Sequence, residues 1–197
     1  MSDAVNRRQA LGLIAAVPAA AAMPAVVLPP WIERAARAAH QAVLSGGYAP
    51  EFFTPAEWVI VRILVDLILP PDERFGGAND AGVPEFMDFT MIDRPSMQGW
   101  MRDGLRWLDE ESARRFAVGF IYLNEAERAQ LLDAIAWPAR AAADVAAGVE
   151  FFNRFRDLTA TGYFSSRLGV EYLGYIGNAF VPRWDGCGAE AEGHLGV

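Results

Sequence analysis

FTPAEWVIVRILVDLIL, Phe53 to Leu69, is the stretch whose reading decides the fold of this 197-residue chain. Thr54 suits an N-cap, Pro55 suits the first helical position, and Glu57 stands three residues after the cap. That is a capping box with proline at N1. Phe53 before the cap and Trp58 at the fourth helical position are placed to close a hydrophobic staple. Beyond Trp58 only Arg62 and Asp66 break the apolar run, and their spacing predicts an i,i+4 ion pair. Pro70-Pro71 ends the segment. A helix apolar on nearly every side belongs inside a folded body. It falls short of a membrane span, which needs roughly twenty apolar residues.

The totals agree with a folded body. Apolar residues make up 53% of the chain and charged ones 21%, enough for one domain with a real core. Every basic side chain other than two histidines is arginine, and the formal net charge is -8. From Trp31 onward 15 Arg stand against 24 acids, a balance of -9. Nucleic-acid binding needs a basic patch, so no nucleic-acid partner is expected.

Several chemistries lack their residues. Cys187 is the only cysteine, so neither an iron–sulfur cluster nor a cysteine-rich zinc site can be built, and no C-x-x-C-H offers covalent haem attachment. His40 and His194 lie at opposite ends of the chain and make no helical ligand pair. His40 reads as a solvated surface residue. No G-x-G-x-x-G, G-x-x-x-x-G-K-[ST] or G-x-S-x-G is present. The expectation is that this chain holds no cofactor or metal and has no catalytic residues of its own.

Residues 1–30 have the parts of an export signal. Arg7 and Arg8 form a charged head, an apolar stretch runs from Leu11 to about Ala22, and Ala20-Ala21-Ala22 offers small residues for cleavage. Arg7-Arg8 followed by Leu11 is similar to a twin-arginine signal, without its usual Phe and Lys. An ordinary secretory signal and an uncleaved anchor are the alternatives. The twin-arginine reading makes the translocase of that route a partner and places the protein in the periplasm.

Residues 31–50 read as an N-terminal arm or linker with a helix over Trp31–Leu44 that stops at Ser45-Gly46-Gly47. Residues 51–197 read as one helical domain. After the central helix, Pro70 to Pro84 is rich in Gly and Pro and predicts a structured loop. Its Asp72, Glu73, Asn79 and Asp80 lack the order of a calcium loop, so they suit turns and caps. Pro84 opens a short helix. Ser96–Phe116 spaces Trp100, Trp107 and Leu108 helically, with a charge run from Asp109 to Arg115 read as a solvated face. Asn124 and Glu127 cap a helix that Pro138 stops. Glu150–Thr161 sets Phe151, Phe152, Phe155 and Leu158 on one stripe, with Gly162 as the expected stop. From Tyr163 onward the helical periodicity fades. The tail still presents Tyr172, Tyr175, Phe180 and Trp184, which must wrap the domain or lie against a partner. No segment alternates like a strand. The expected fold is all-α, an irregular helical domain around a buried central helix with a long, loop-rich C-terminal tail.

Together, the quoted central stretch with its PPDERFGGANDAGVPEF continuation, the segments GLRWLDEES, LLDAIAWP, FFNRFRDLTATGYFSS and LGYIGN, and the closing W-D-G-C and HLGV resemble the gluconate 2-dehydrogenase subunit 3 family. The resemblance spans Phe52 to Val197. It implies a small, non-catalytic gamma subunit of a periplasmic flavoprotein dehydrogenase, held at the inner membrane through its partners. In such complexes a large subunit carries FAD and the catalytic residues, and a multihaem cytochrome c with haem c often follows it. The small subunit supplies the twin-arginine signal and supports maturation and export of the large one. An odd cysteine in an exported chain is either free or bridged to another chain, so Cys187 is a candidate for an intersubunit disulfide. Two other readings stand beside this one. The chain could be an enzyme using Asp66, Asp72 or Asp80, or an exported helical binding protein with no oxidoreductase partner.

Overall fold

The structure is a computed structural model and describes residues 29–175. Seven α-helices follow one another, and no strand occurs among the described residues, which makes the domain all-α as its periodicity requires. They are α1 Pro30–Ser45, α2 Pro55–Ile68, α3 Val83–Asp93, α4 Gln98–Phe116, α5 Glu125–Ala136, α6 Ala146–Ser165 and α7 Arg167–Tyr172. Short 3-10 turns at Pro95–Met97, Phe120–Tyr122 and Ala143–Val145 join them. None of these helices is long and apolar enough to cross a membrane.

α2 begins as its sequence dictates. The Thr54 hydroxyl accepts the Glu57 N–H, and the Glu57 carboxylate accepts the Thr54 N–H at 2.8 Å. The Phe53 and Trp58 rings close the staple, with centroids 6.1 Å apart. Burial would raise the Glu57 carboxyl, but the Arg102 guanidinium and the Thr54 donors outweigh it and hold Glu57 below the usual range. Arg102 also donates to the Phe52 carbonyl at 2.7 Å and lies over the Phe52 ring, tying α4 to the start of α2. The expected Arg62–Asp66 pair is replaced. Asp66 instead accepts the Asn79 N–H at 3.1 Å, and the Arg62 carbonyl accepts the Asn79 amide, which fastens the following loop to α2.

Ile60, Val61, Leu64 and Val65 of α2 enter the core, while Val59 and Leu67 stay partly exposed. The helix that touches each of the other six is α6. Its Phe151, Phe155 and Leu158 are buried, as the aromatic stripe implies. α6 also runs past the expected stop. Gly162 lies inside it, and a Cβ there would come within 2.8 Å of the Phe86 ring. The glycine serves close helix packing, not termination.

α1 docks on α3 through Ile32, Ala35, Ala39 and Ala42, small residues that allow a close approach. Arg34 grips Asp93 at the far end of α3 with two bonds, 2.8 and 3.1 Å. His40, on the outer side, is exposed. The link from α1 to α2 is held by one buried carboxylate. Asp88 accepts the Tyr48 hydroxyl at 2.6 Å and the N–H groups of Glu51, Phe52 and Phe53 at 2.9 to 3.0 Å. The charge run on α4 is only partly a solvated face. Glu111 is buried and accepts both Arg114 and Arg115, and those donors keep its carboxyl low. Asp109, itself exposed, reaches across to accept the Phe120 N–H at 2.9 Å.

Candidate partner-docking surface

The chemistry-bearing residues of the loop after α2 are spent on its own backbone. Asp72 accepts the N–H groups of Arg74 and Phe75, both at 2.8 Å, and these donors lower its carboxyl. Asp80 accepts the Gly77 N–H at 2.8 Å, and Ala78 N–H reaches back to the Leu69 carbonyl. This is turn chemistry in a rigid loop. Among the described residues no group of three or more His, Cys, Asp or Glu side chains could hold a metal ion.

That loop meets the end of α6 and the whole of α7. Ser166 caps α7 by accepting the Gly169 N–H, and Gly169 is pressed so close to the Tyr163 carbonyl that a Cβ would overlap it. The chain therefore doubles back, and Tyr172 lands beside Phe75 with ring centroids 5.1 Å apart, edge to face. Tyr163 and Phe164 complete the group, at 6.3 and 6.4 Å from Tyr172. The buried Tyr163 hydroxyl donates to the Gly76 carbonyl at 3.1 Å, pinning loop to helix across 87 positions. Burial first, then the negative charge of Asp72, raises its pKa.

Between Leu69, Pro70, Phe75, Tyr163, Phe164 and Tyr172 lies a slot of about 110 Å³. It is the size of a side chain, far below the 300 Å³ or more of a usual small-molecule pocket. Around it the apolar surface is open to solvent: Phe164 is 39% exposed, Tyr172 48%, Leu173 59% and Tyr175 59%. The touching rings of Phe75, Tyr163, Phe164 and Tyr172, with the Asp72 carboxylate beside them, can hold another polypeptide by ring packing and cation contacts.

Two of the sequence-derived contact residues, Tyr172 at the end of α7 and Tyr175 just beyond it, are exposed. Phe180, Trp184 and Cys187 lie outside the described residues, as do Arg7, Arg8 and Leu11. Phe75 and Phe164, absent from the sequence-derived set, belong to the patch. A second apolar place also escaped the sequence. Ile60, Leu105, Ile121 and Tyr122 line a groove of about 380 Å³ between α2 and α4, with Tyr122 75% exposed. Its signal was the run AVGFIYL between two helices, too apolar for an ordinary turn.

Comparison with known proteins adds one match. The family model described as gluconate 2-dehydrogenase subunit 3 matches residues 55–182, from the start of α2 to beyond the aromatic patch. No curated protein and no solved structure matches the chain.

Proposed function

The chain belongs to the gluconate 2-dehydrogenase subunit 3 family, and from that premise we propose that it is the non-catalytic small subunit of a flavoprotein dehydrogenase complex acting on gluconate or a related sugar or polyol. The large partner carries FAD and the reacting groups, and a multihaem cytochrome c takes the electrons. This subunit binds the large one, supports its maturation and escorts it across the inner membrane. The observation that supports this reading best is the exposed apolar surface of Phe164, Tyr172 and Leu173, which lies within the family-matched region. Large apolar side chains gathered at an exposed surface are what a subunit interface uses.

In the same proposal Arg7, Arg8 and Leu11 serve a twin-arginine signal that exports both subunits, and the complex resides in the periplasm at the inner membrane. Cys187 forms a disulfide with the large subunit. The test is co-expression with a candidate FAD-dependent large subunit from the same genome. The pair is expected to purify together, yellow and active, while this chain alone is colourless and inactive. Replacing Tyr172 and Tyr175 by Ala is expected to weaken the pairing by tenfold or more, the scale of about 1.4 kcal/mol. A pair that fails to form, or substrate turnover by this chain alone, overturns the proposal.

A further inference from the structure

Three aromatic rings and three charged side chains meet in a cleft of about 210 Å³ between α4 and α6. Trp100, Gly104 and Trp107 share one face of α4, at i, i+4 and i+7, and Phe151 and Arg154 face them from α6. A Cβ on Gly104 would come within 1.8 Å of the Phe151 ring, so the ring lies directly on α4 and forms the floor. Gly148 admits the Trp107 indole in the same way. The two half-buried indoles are the end walls. Seven residues of helix rise about 10 Å. A group midway between the indoles is thus about 5 Å along the axis from each, inside the ~6 Å over which a ring face attracts a cation.

One cation already rests on these rings. The Arg154 guanidinium lies over Trp100, 4.7 Å from the ring centroid. Its tie to Glu150 is long, 3.4 Å between two exposed side chains, and such a pair contributes little. Asp103, also exposed, is taken by Arg106 at 2.6 Å. The lining therefore has two carboxylates against one guanidinium, and each carboxylate already has an arginine donor. A primary ammonium brings three N–H donors and would find no acceptor free of an arginine. A quaternary ammonium has no donor to satisfy, and ring faces suit it.

We propose that this cleft binds a quaternary ammonium group, seated on Phe151 between Trp100 and Trp107, with the Asp103 and Glu150 carboxylates near its charge and Arg154 moved off the Trp100 ring. The site is built by α4 and α6 alone and does not depend on the reading of this chain as a subunit.

Choline titrated into the full chain tests this. The indole N–H signals of Trp100 and Trp107 are expected to shift together and saturably, with a Kd on the order of 1 mM, while those of Trp31 and Trp58 stay in place. Neohexyl alcohol, in which carbon replaces the charged nitrogen, is expected to bind at least about tenfold more weakly. Arg154→Gln removes the resident cation and is expected to tighten choline binding by about threefold, whereas Glu150→Gln is expected to weaken it by about threefold. Both side chains are exposed, so neither change disturbs the core. Co-sedimentation with phosphatidylcholine vesicles identifies the source of the group. Vesicle binding that choline displaces supports the site as one for a lipid headgroup, and a choline shift without vesicle binding supports it as one for a dissolved cation. The absence of a saturable shift overturns the proposal, as does an equal response to neohexyl alcohol or weaker choline binding after Arg154→Gln.

Discussion

The Asp88 carboxylate and the Phe53 backbone are joined across 35 positions: Asp88 Oδ1 accepts the Phe53 N–H at 3.0 Å, one residue before the Thr54 cap of α2. The same oxygen takes Phe52 N–H, and its companion takes Glu51 N–H and the Tyr48 hydroxyl. A side chain with 0% exposure therefore fixes where α2 starts relative to α3.

Asp88→Ala leaves three buried or half-buried N–H groups and the Tyr48 hydroxyl without their acceptor. The expected cost is on the order of 3 kcal/mol. Urea unfolding checks it, as a lower midpoint with an unchanged slope. A loss below about 0.5 kcal/mol would show that water replaces the carboxylate.

Glu85 gives a pH signature. Burial raises its pKa above the ordinary 4.5, and Oε2 has no partner among the described residues. A raised folded-state value means that its contribution is complete below pH 4.5 and is lost as pH rises through the folded-state pKa. Glu85→Gln is expected to change the melting temperature little near pH 4 and to raise it at pH 7. Equal shifts at the two pH values would refute the assignment.

The crossing of α4 and α6 depends on two glycines. A Cβ on Gly104 would sit 1.8 Å from the Phe151 ring, and one on Gly148 would sit 2.1 Å from Trp107. Gly104→Ala is expected to destabilise by about 1–3 kcal/mol through overpacking. Gly99, in the same helix, has nothing within 4 Å of its virtual Cβ. Gly99→Ala is expected to be neutral or to stabilise by up to about 1 kcal/mol. Thermal melts of the pair separate packing from helix propensity.

Export tests the leader. Replacing Arg7 and Arg8 by Lys is expected to leave the protein in the cytoplasm, read by fractionation. Undiminished export would point to an ordinary secretory signal.

Cys187 is checked by non-reducing electrophoresis of the native complex. One heavier band that splits on reduction is expected, and two separate bands would refute the bridge.

Much of the fold was legible because local chemistry and tertiary packing agree at particular residues. The Thr54–Glu57 and Asn124–Glu127 boxes form as spelled, since each needs only four residues of chain. Gly162 was misleading because glycine has two uses. Its freedom suits a helix end, but here its small size lets Phe86 approach. Glu111 was misread because a charge run says nothing of which member turns inward to gather two guanidinium groups. Arg62 and Asp66 have the spacing of a pair, and only the folded loop shows that Asn79 takes the carboxylate. At the aromatic end, Tyr172 and Tyr175 announced themselves by being apolar in an aperiodic stretch. Phe75 belongs with them only because α7 brings Tyr172 back across nearly a hundred positions of chain.

The place of α6 in the chain has a consequence for synthesis. The helix that all the others lean on is made after five of them. At roughly 5–20 residues per second, about 6–24 s separate completion of α1 from completion of α6. Once made, Phe86 lacks the helix that finally packs against it until Gly162 has been added. A stop codon at residue 146, which removes α6 and leaves its apolar partners uncovered, is expected to give a poorly soluble product.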